Sequence, residues 1–498
     1  MNINTKKLPL SLWDKGFWKV TLSLAIPIAL QNMLSASFSL IDTLMVSQLG
    51  DIQLSATGMA GQWSWLFSMA LFGISSGAAV FVSQYWGEKN IKGIHKTSGI
   101  AVISGLILSL LFLAAGAIFP EQIIRIFNKT PEVVEQGSLY LRFACLSYPA
   151  MALTNILGSI LRSAEHPKLP MAVSGICAVV NIALNYVLIF PMGLGVKGAA
   201  IATAISAWTG PVLIIILSIL QKNILYTPLK DYFSFNSATV REFFKKASPV
   251  IINETMWGLG TVAYNVIFAN MGHEEYAAIT IVRTFENFAF CFFLGLCNAC
   301  CVMVGKSIGA GEIREGIRES KRFMTVFPIV SLLIGGAVIL LRAPLVSIFN
   351  LTENISGYTI ETAQSILIIY AVWIVVRNVP YLTVVGIFRS GGDTSTGMII
   401  ELLALWCFSV PMTFIAANVW HLPFLAVYAV MYLCEDIPKA IFFLIYWRSG
   451  KWVKPVTAAG INNEYSLQNW KRNCGKCFCS LCSSFPFYKR QKNKSACS

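Results

Sequence analysis

Residues 97–119 read TSGIAVISGLILSLLFLAAGAIF, a run of 23 residues without a charged side chain. About 20 apolar residues in an α-helix cross a hydrocarbon core of ~30 Å, so this run is long enough to span a membrane. The whole chain has 498 residues, of which 56% are hydrophobic and 12% are charged, and its mean hydropathy is +0.65. Ordinary soluble domains are about 25% charged, so the composition argues against a soluble enzyme and predicts a polytopic membrane protein.

Similar apolar runs recur along the chain and predict an all-α polytopic membrane protein with twelve transmembrane helices. The expected bounds are 20–47, 57–83, 97–119, 138–161, 170–190, 198–220, 247–271, 277–304, 323–341, 359–388, 397–417 and 424–447. The first run contains Pro27, Gln31 and Asp42 and is longer than the apolar core of a signal peptide, so we expect it to be a retained span.

The positive charges indicate how the chain is oriented. There are 38 Lys and Arg against 24 Asp and Glu, a net charge of +14. If the loops alternate between two sides, 30 of the 38 basic residues fall on the side of the two termini, four on the other side and four in or near spans. The excess of Lys and Arg in cytoplasmic loops therefore predicts that both termini are cytoplasmic. On this interpretation the basic charge does not indicate nucleic acid binding.

The two halves of the chain repeat each other. At a shift of 222 residues the aligned pairs include Pro27 with Pro249, Asn32 with Glu254 and Gly87 with Gly309, and a shift of 227 aligns Arg162 with Arg389. Each half has six spans, an even number, so the repeats are parallel. Parallel repeats typically form two lobes around a central cavity, the arrangement of a transporter that works by alternating access.

The repeat and the charges together predict five segments. They are a cytoplasmic N-terminus (1–16), a first six-helix lobe (17–220), a cytoplasmic inter-lobe loop (221–246), a second six-helix lobe (247–447) and a basic, Cys-containing cytoplasmic tail (448–498). In the loop, residues 240–246 alternate apolar and basic side chains, and we expect them to lie at the membrane interface.

Several motifs resemble those of the MATE (multidrug and toxic compound extrusion) family of bacterial type. They are Pro27 followed by Ile41-Asp42-Thr43, Arg162-Ser163-Ala164-Glu165, Arg389-Ser390-Gly391-Gly392-Asp393, and Arg448 to Trp452. The resemblance covers about residues 15–455. It implies an antiporter that exports amphipathic, often cationic, small molecules in exchange for sodium ions or protons. We expect a monomer in the bacterial plasma (inner) membrane, in contact with membrane lipids and without a bound cofactor or metal.

Asp42 is the leading candidate for ion coupling. A charge at membrane depth costs at least ~2.5–3.5 kcal/mol, and no cationic side chain lies three or four positions from Asp42 on its own helix. The resemblance implies a first-lobe cation site in which Asp42 is joined by Asn155, Asn181, Asn185 and Thr203. Asn185 stands where many relatives have a second aspartate. The alternatives are an aspartate buried for packing and asparagines that join helices by hydrogen bonds.

The second lobe has its own intramembrane charges. The resemblance links Glu254 to cation coupling, and Asn378 stands where some relatives have its acidic companion. Arg377 has no carboxylate three or four residues away, so we expect it to pair across helices with Glu254 or with Glu401. A salt bridge would make Glu254 structural, and the sequence leaves both roles open.

Other charged residues have partners at helical spacing. Arg283 and Glu286 are three apart, and Glu435 and Lys439 are four apart, spacings that bring side chains together on a helix. Asp436 lies beside the second pair. A locally neutralised cluster is therefore a better interpretation of residues 435–439 than a substrate site.

The C-terminal tail and the absence of enzyme motifs argue against several other functions. Cys474, Cys477, Cys479 and Cys482 form C-x2-C-x-C-x2-C, whose central spacing is too tight for the usual zinc knuckles, so we expect a disordered extension on anionic lipid. Zinc-protease and P-loop motifs and paired catalytic histidines are absent, which argues against an intramembrane enzyme or ATPase. The remaining alternative is a flippase for lipid-linked oligosaccharides on a related fold, which would line its cavity with several cations.

Overall fold

The computed structural model describes residues 14–347 and 356–463, apart from the side chain of residue 273. The helices of the first half are α1 (Lys15–Ser47), α2 (Asp51–Glu88), α3 (Ile91–Ile118), α4 (Pro120–Phe127), α5 (Pro131–Ala144), α6 (Tyr148–Ser163), α7 (Lys168–Ile189) and α8 (Gly195–Gln221). After the short α9 (Leu229–Tyr232) come α10 (Ser237–Ala269), α11 (His273–Gly309), α12 (Ile313–Ser347), α13 (Gly357–Tyr381), α14 (Arg389–Gly391), α15 (Thr394–Leu403), α16 (Val410–Asn418), α17 (Phe424–Ser449) and α18 (Ala458–Asn462).

These helices make twelve spans in the described ranges. A 3-10 turn joins α5 to α6, and the π-helical segments Leu382–Phe388 and Ala404–Ser409 join α13 to α14 and α15 to α16. Ten of the resulting segments are long and apolar enough to cross a membrane. The other two, α10 and α17, have comparable lengths but carry polar groups, among them Glu254 in α10 and Lys439 in α17. The predicted all-α fold with twelve transmembrane helices is confirmed.

Equivalent pairs of helices pack together in the two halves, and the first helix of each half contacts the other half. Helix α3 packs on α6 as α12 packs on α13, and α7 packs on α8 as α16 packs on α17. Each half begins with a helix that lies against the second helix of the other half, so that α1 packs on α11 and α10 packs on α2. The predicted pair of parallel six-helix lobes is therefore present, with α1, α2, α10 and α11 between them.

Turns at equivalent positions confirm the register of the repeat. Lys89 after α2 has φ +58° and Gly311 after α11 has φ +80°, and these residues are 222 positions apart. Glu165 after α6 has φ +63° and Gly392 after α14 has φ +87°, 227 positions apart. Left-handed residues commonly end helices, and the second half uses glycine, which adopts this conformation without steric cost.

Helices α2 and α11 cross at two glycines that are partners in the repeat. A Cβ on Gly87 would lie 1.9 Å from the carbonyl oxygen of Lys306, and one on Gly309 would lie 1.9 Å from that of Gln84. Lys306 and Gln84 are themselves 222 residues apart, so the two contacts are reciprocal. The backbones can approach this closely only because neither glycine has a side chain.

Both described ends of the chain lie on one face, which we call the terminal face. At the N-terminal end, Arg322 of α12 donates to Asp14 at 2.9 Å, and this hydrogen bond holds the pKa of the carboxyl below its usual range. At the C-terminal end, Asn463 donates to the carbonyl of Gly311 at 3.3 Å. The two ends of the described part of the chain, Asp14 and Asn463, therefore lie on the same side of the protein.

The predicted segment bounds need two corrections. Helix α10 begins at Ser237, so residues 240–246, expected at the membrane interface in a loop, form its first turns, and Phe243 is buried against Phe81 with ring centroids 5.8 Å apart. Residues 450–463 of the predicted tail also pack into the protein, with Trp452 only 1% exposed. The four tail cysteines, Cys474 to Cys482, lie outside the described residues.

We expect Gly87→Ala and Gly309→Ala to destabilise the protein by about 1–3 kcal/mol, because overpacking forces the two backbones apart. Thermal unfolding of the purified protein in detergent would measure the effect. Gly58→Ala, in the same helix α2, is the matched control, since nothing lies within 4 Å of its Cβ position. Equal melting temperatures for Gly87→Ala and Gly58→Ala would contradict the close crossing.

Candidate functional site

Asp42 of α1 and two asparagines of α7 form a chain of hydrogen bonds. The amide nitrogen of Asn185 donates to the Oδ1 carboxylate oxygen of Asp42 and, at 3.1 Å, to Oδ1 of Asn181. Asn181 in turn donates to the hydroxyl of Ser206 in α8 at 3.2 Å. The i, i+4 spacing of the two asparagines placed them on one helix face, and the structure brings that face to Asp42.

Two further side chains complete this cluster. Tyr140 of α5 faces both Asp42 and Thr203 of α8. The hydroxyl of Thr203 donates to the carbonyl of Ala199 at 3.0 Å, which leaves its oxygen lone pairs available to a neighbour. We call Asp42, Tyr140, Asn181, Asn185, Thr203 and Ser206 the Asp42 cluster.

Asn185 has an oxygen without a partner. The residue is fully buried, and its Oδ1 atom accepts no hydrogen bond from the described residues. No Lys or Arg of the described ranges lies within 4 Å of the Asp42 carboxylate. Carboxylate, amide and hydroxyl oxygens suit a hard cation, and an orphaned amide oxygen beside an unpaired carboxylate is a donor set that such an ion would complete.

Sequence reasoning was incomplete for this cluster. Asn155 was expected in it, but its side chain is exposed and makes no hydrogen bond within the described part of the chain. Ser206 was missed, although it follows Thr203 by three residues and so shares its face of α8. Tyr140 was also missed, because it comes from a different span and no local spacing relates it to Asp42.

Glu254 of α10 is paired with Arg389 of α14. The guanidinium contacts Oε1 of Glu254 and donates to the hydroxyl of Ser76 in α2 at 2.9 Å. The side chains of Arg389 and Glu254 are 3% and 13% exposed. The predicted bounds end the tenth span at residue 388 and leave Arg389 in the loop that follows. It is buried instead because the tenth span stays helical through its π-helical segment to Gly391, which brings the guanidinium between the two lobes.

The predicted partners of Arg377 are wrong. Arg377 of α13 lies 3.9 Å from Oε1 of Glu286 and donates to the hydroxyl of Tyr432 at 2.7 Å. Tyr428 and Tyr432 also donate to Glu286, each at 3.2 Å. Arg377 therefore pairs across helices as expected, but with a carboxylate that the sequence had assigned to Arg283.

The spacing of Arg283 and Glu286 did not decide their contacts. Arg283 of α11 donates instead to the amide oxygen of Asn265 in α10. An i, i+3 spacing permits a pair without requiring one, and the pairing with Arg377 gives Glu286 a partner on another helix. The predicted pair of these two residues is therefore wrong.

Asn378 and Glu401 take other partners. Asn378 is 5% exposed and donates to the hydroxyl of Ser331 in α12 at 3.1 Å. Glu401 accepts from the amide of Asn253 at 2.8 Å and lies 3.8 Å from the ammonium of Lys439. The predicted pair of Glu435 and Lys439 is confirmed, with 2.5 Å between Oε1 and Nζ.

Comparison with known proteins places the chain among membrane transporters. The model of the MatE family matches residues 27–187 and 249–415, one match in each lobe. The chain is 24% identical over 445 residues to "Probable multidrug resistance protein NorM" of Thermotoga maritima, covering 88% of this chain and 93% of that protein. It is 23% identical over 447 residues to "Multidrug and toxin extrusion protein 1" of Xenopus tropicalis, covering 88% of this chain and 75% of that protein.

Solved structures share the fold at low identity. "Crystal structure of MATE in the straight conformation" superposes with a TM-score of 0.78 and 18% identity, over 88% of this chain and 97% of that one. A transporter of the MOP superfamily from Pyrococcus furiosus, described as having a binding pocket of reverse polarity, gives a TM-score of 0.80 at 18% identity, over 89% of this chain and 98% of that one. Since the family model matches both lobes, the chain belongs to the MatE family of multidrug efflux transporters.

Proposed function

We propose that this transporter exports amphipathic, cationic small molecules in exchange for protons or sodium ions, with Asp42 as the coupling carboxylate. The observation that carries the proposal is the unpartnered, buried Oδ1 of Asn185 beside an aspartate without a cationic partner. A monomer in the plasma membrane, with both termini in the cytoplasm, fits the charge distribution of the loops.

Binding of a proton or a sodium ion at Asp42 would rotate the side-chain amide of Asn185, so that its oxygen and nitrogen exchange places. In the present arrangement Asn185 donates through Nδ2 to the Asp42 carboxylate. A protonated Asp42 is a hydrogen-bond donor, and a sodium ion needs oxygen ligands, so both favour a rotated amide with Oδ1 toward Asp42. The same rotation removes the Nδ2 hydrogen bond from Asn181. Cation binding thus changes contacts between α1 and α7 and along α7, which is how a bound ion can bias the lobes.

The lobes are closed on the terminal face in this structure. Gln84 of α2 donates to the carbonyl of Ser390 at 2.8 Å, and Lys306 of α11 contacts both oxygens of Glu165 at 2.8 Å. Arg389 reaches Ser76 across the same boundary. If the terminal face is cytoplasmic, substrate and ion exchange with the outside in this state, and export requires these contacts to break once per cycle.

Imposed gradients would test the function. In proteoliposomes that hold the purified protein, efflux of a cationic dye such as ethidium should follow an imposed pH gradient, an imposed sodium gradient, or both. The ion whose gradient drives efflux is the coupling ion. Efflux that persists after both gradients are dissipated, or ATP hydrolysis in step with transport, would contradict an antiporter.

The Asp42→Asn variant should lose gradient-driven efflux while inserting normally, because the site can no longer change its charge. Asn185→Asp adds a second carboxylate and should shift the pH or sodium dependence without abolishing transport. The control is Asp51→Asn, which removes the same charge at an exposed position of α2. A well-expressed Asp42→Asn protein with normal coupled efflux would move the coupling site away from the first lobe.

The flippase alternative is not favoured, because two of the second-lobe arginines, Arg377 and Arg389, already have carboxylate partners. Arg377 lies beside Glu286, and Arg389 contacts Glu254. A flippase that holds a phosphate group in its cavity needs cations whose charge is not already neutralised.

We expect Arg377→Met and Glu286→Gln each to destabilise the protein, and the double variant to lose less than the sum, with a coupling of about 0.5–3 kcal/mol. Unfolding by SDS in mixed micelles would measure the three free energies. The exposed pair Arg125 and Glu121, 3.7 Å apart, is the matched control and should couple by about 0–1 kcal/mol. Additive losses for Arg377 and Glu286 would remove the pairing.

A further inference from the structure

Two carboxylates contact one lysine, and a third lies nearby, where α10, α15 and α17 meet in the second lobe. Lys439 is 4% exposed, and its Nζ atom lies 2.5 Å from Oε1 of Glu435 and 3.8 Å from Oε1 of Glu401. Asp436 is also 4% exposed and accepts a hydrogen bond from the indole of Trp373 at 3.1 Å. We call Glu401, Glu435, Asp436 and Lys439 the Lys439 cluster.

The Lys439 cluster carries more negative charge than its surroundings neutralise. With every group ionised, the three carboxylates and Lys439 sum to −2. Within the described ranges the neighbouring cations are already matched, since Arg377 lies beside Glu286 and Arg389 contacts Glu254. An uncompensated charge at membrane depth is costly, and a group in such a place is commonly neutralised instead. At least one of the three carboxyls should therefore hold a proton.

The hydrogen-bond pattern identifies the carboxyl that holds it. The hydroxyl oxygen of Tyr264 lies 2.7 Å from Oγ of Ser409 and 2.8 Å from Oε2 of Glu435, and Oγ of Ser409 lies 2.8 Å from the carbonyl oxygen of Met431. Tyr264 and Ser409 together have two hydroxyl protons for these three contacts. A third proton, on Oε2 of Glu435, completes all three at once.

A second residue shows the same shortage of donors. Asn253 of α10 is 4% exposed and donates through Nδ2 to Oε2 of Glu401 at 2.8 Å, while its own Oδ1 is buried and has no partner in the described part of the chain. A buried amide oxygen normally finds a donor. If the proton moved to Glu401, rotation of the Asn253 amide would let it accept from that carboxyl. The Oδ1 atom of Asn253 is therefore available to accept a hydrogen bond from a protonated carboxyl of the cluster.

We propose that Glu435 is a second proton-binding site, and that its proton is exchanged during the transport cycle in addition to the ion bound at Asp42. A proton from solution binds to Oε2 of Glu435. The resulting carboxyl O–H group donates to the hydroxyl oxygen of Tyr264, and the Tyr264 hydroxyl donates to Ser409. Lys439 keeps its charge and is shared more equally with Glu401, and the net charge of the cluster changes from −2 to −1. The role in transport rests on the proposed exchange cycle, whereas the presence of the proton does not.

The groups around Glu435 come from every helix packed against it. They are Asp436 and Lys439 of α17, Tyr264 of α10, Ser409 of the π-helical segment before α16, Glu401 of α15 and Arg377 of α13. The two cations favour the ionised form of Glu435 and the two carboxylates favour the protonated form. Protonation of Glu435 therefore depends on the whole cluster.

Infrared difference spectra of the reconstituted protein between acidic and alkaline pH would test the proposal. The wild type should show a protonated-carboxyl band that disappears at alkaline pH, and Glu435→Gln should lose it. Asp42→Asn should retain this band, as should the control Glu132→Gln, which changes an exposed residue of α5. In proteoliposomes, Glu435→Gln should move fewer protons per substrate molecule than the wild type does.

Tyr264→Phe keeps the carboxyl but removes the hydroxyl that accepts its proton, so the band should persist at a shifted frequency. An unchanged carboxyl band in Glu435→Gln or in Tyr264→Phe would overturn the proposal. Loss of all such bands in Asp42→Asn would also overturn it and leave the first-lobe mechanism intact. Coupled efflux by Asp42→Asn together with loss of the band in Glu435→Gln would instead retain Glu435 and reject Asp42 as the coupling site.

Discussion

The pairing of charges inside the hydrocarbon layer constrains how these twelve helices can pack. An ion at membrane depth is costly unless a neighbour neutralises it, so a helix that carries one must place it against a partner. Arg389 brings the end of the tenth span against α10 through Glu254 and against α2 through Ser76. Lys439 similarly ties α17 to α15 through Glu401. The positions of these helices are therefore coupled to the state of a few charged pairs.

The sequence was sufficient to predict the fold and part of the candidate site. Hydropathy predicted the twelve spans, and the shift of 222 residues aligned Gly87 with Gly309, which the structure places where α2 and α11 cross. Spacing along one helix predicted the pair of Glu435 and Lys439 and placed Asn181 and Asn185 together. These successes share one cause, since each depends on a period within a helix or on a copy of the same pattern.

Two of the failures have a common cause. Glu286 as the partner of Arg377, and Tyr140 as a neighbour of Asp42, join spans that are far apart in the sequence. No local period relates such residues, so only the packed structure can assign them. Arg389 was misplaced for a different reason, because the tenth span continues as α14 (Arg389–Gly391) for 3 residues beyond residue 388, where the prediction ended it.

The C-terminal segment after α17 forms hydrogen bonds to both lobes, three of them through main-chain nitrogens. The backbone nitrogens of Val456 and Ala459 donate to Gln84 and Glu88 of α2, at 2.8 Å and 3.1 Å. On the other lobe, the nitrogen of Lys454 donates to the carbonyl of Gly391 at 2.7 Å, and the hydroxyl of Thr457 donates to that of Gly309 at 2.9 Å. Main-chain donors are the same for nearly every residue type. These three hydrogen bonds therefore do not depend on the side chains of the residues that donate them, whereas the insertion or deletion of a single residue would displace every later contact, including that of the buried Thr457.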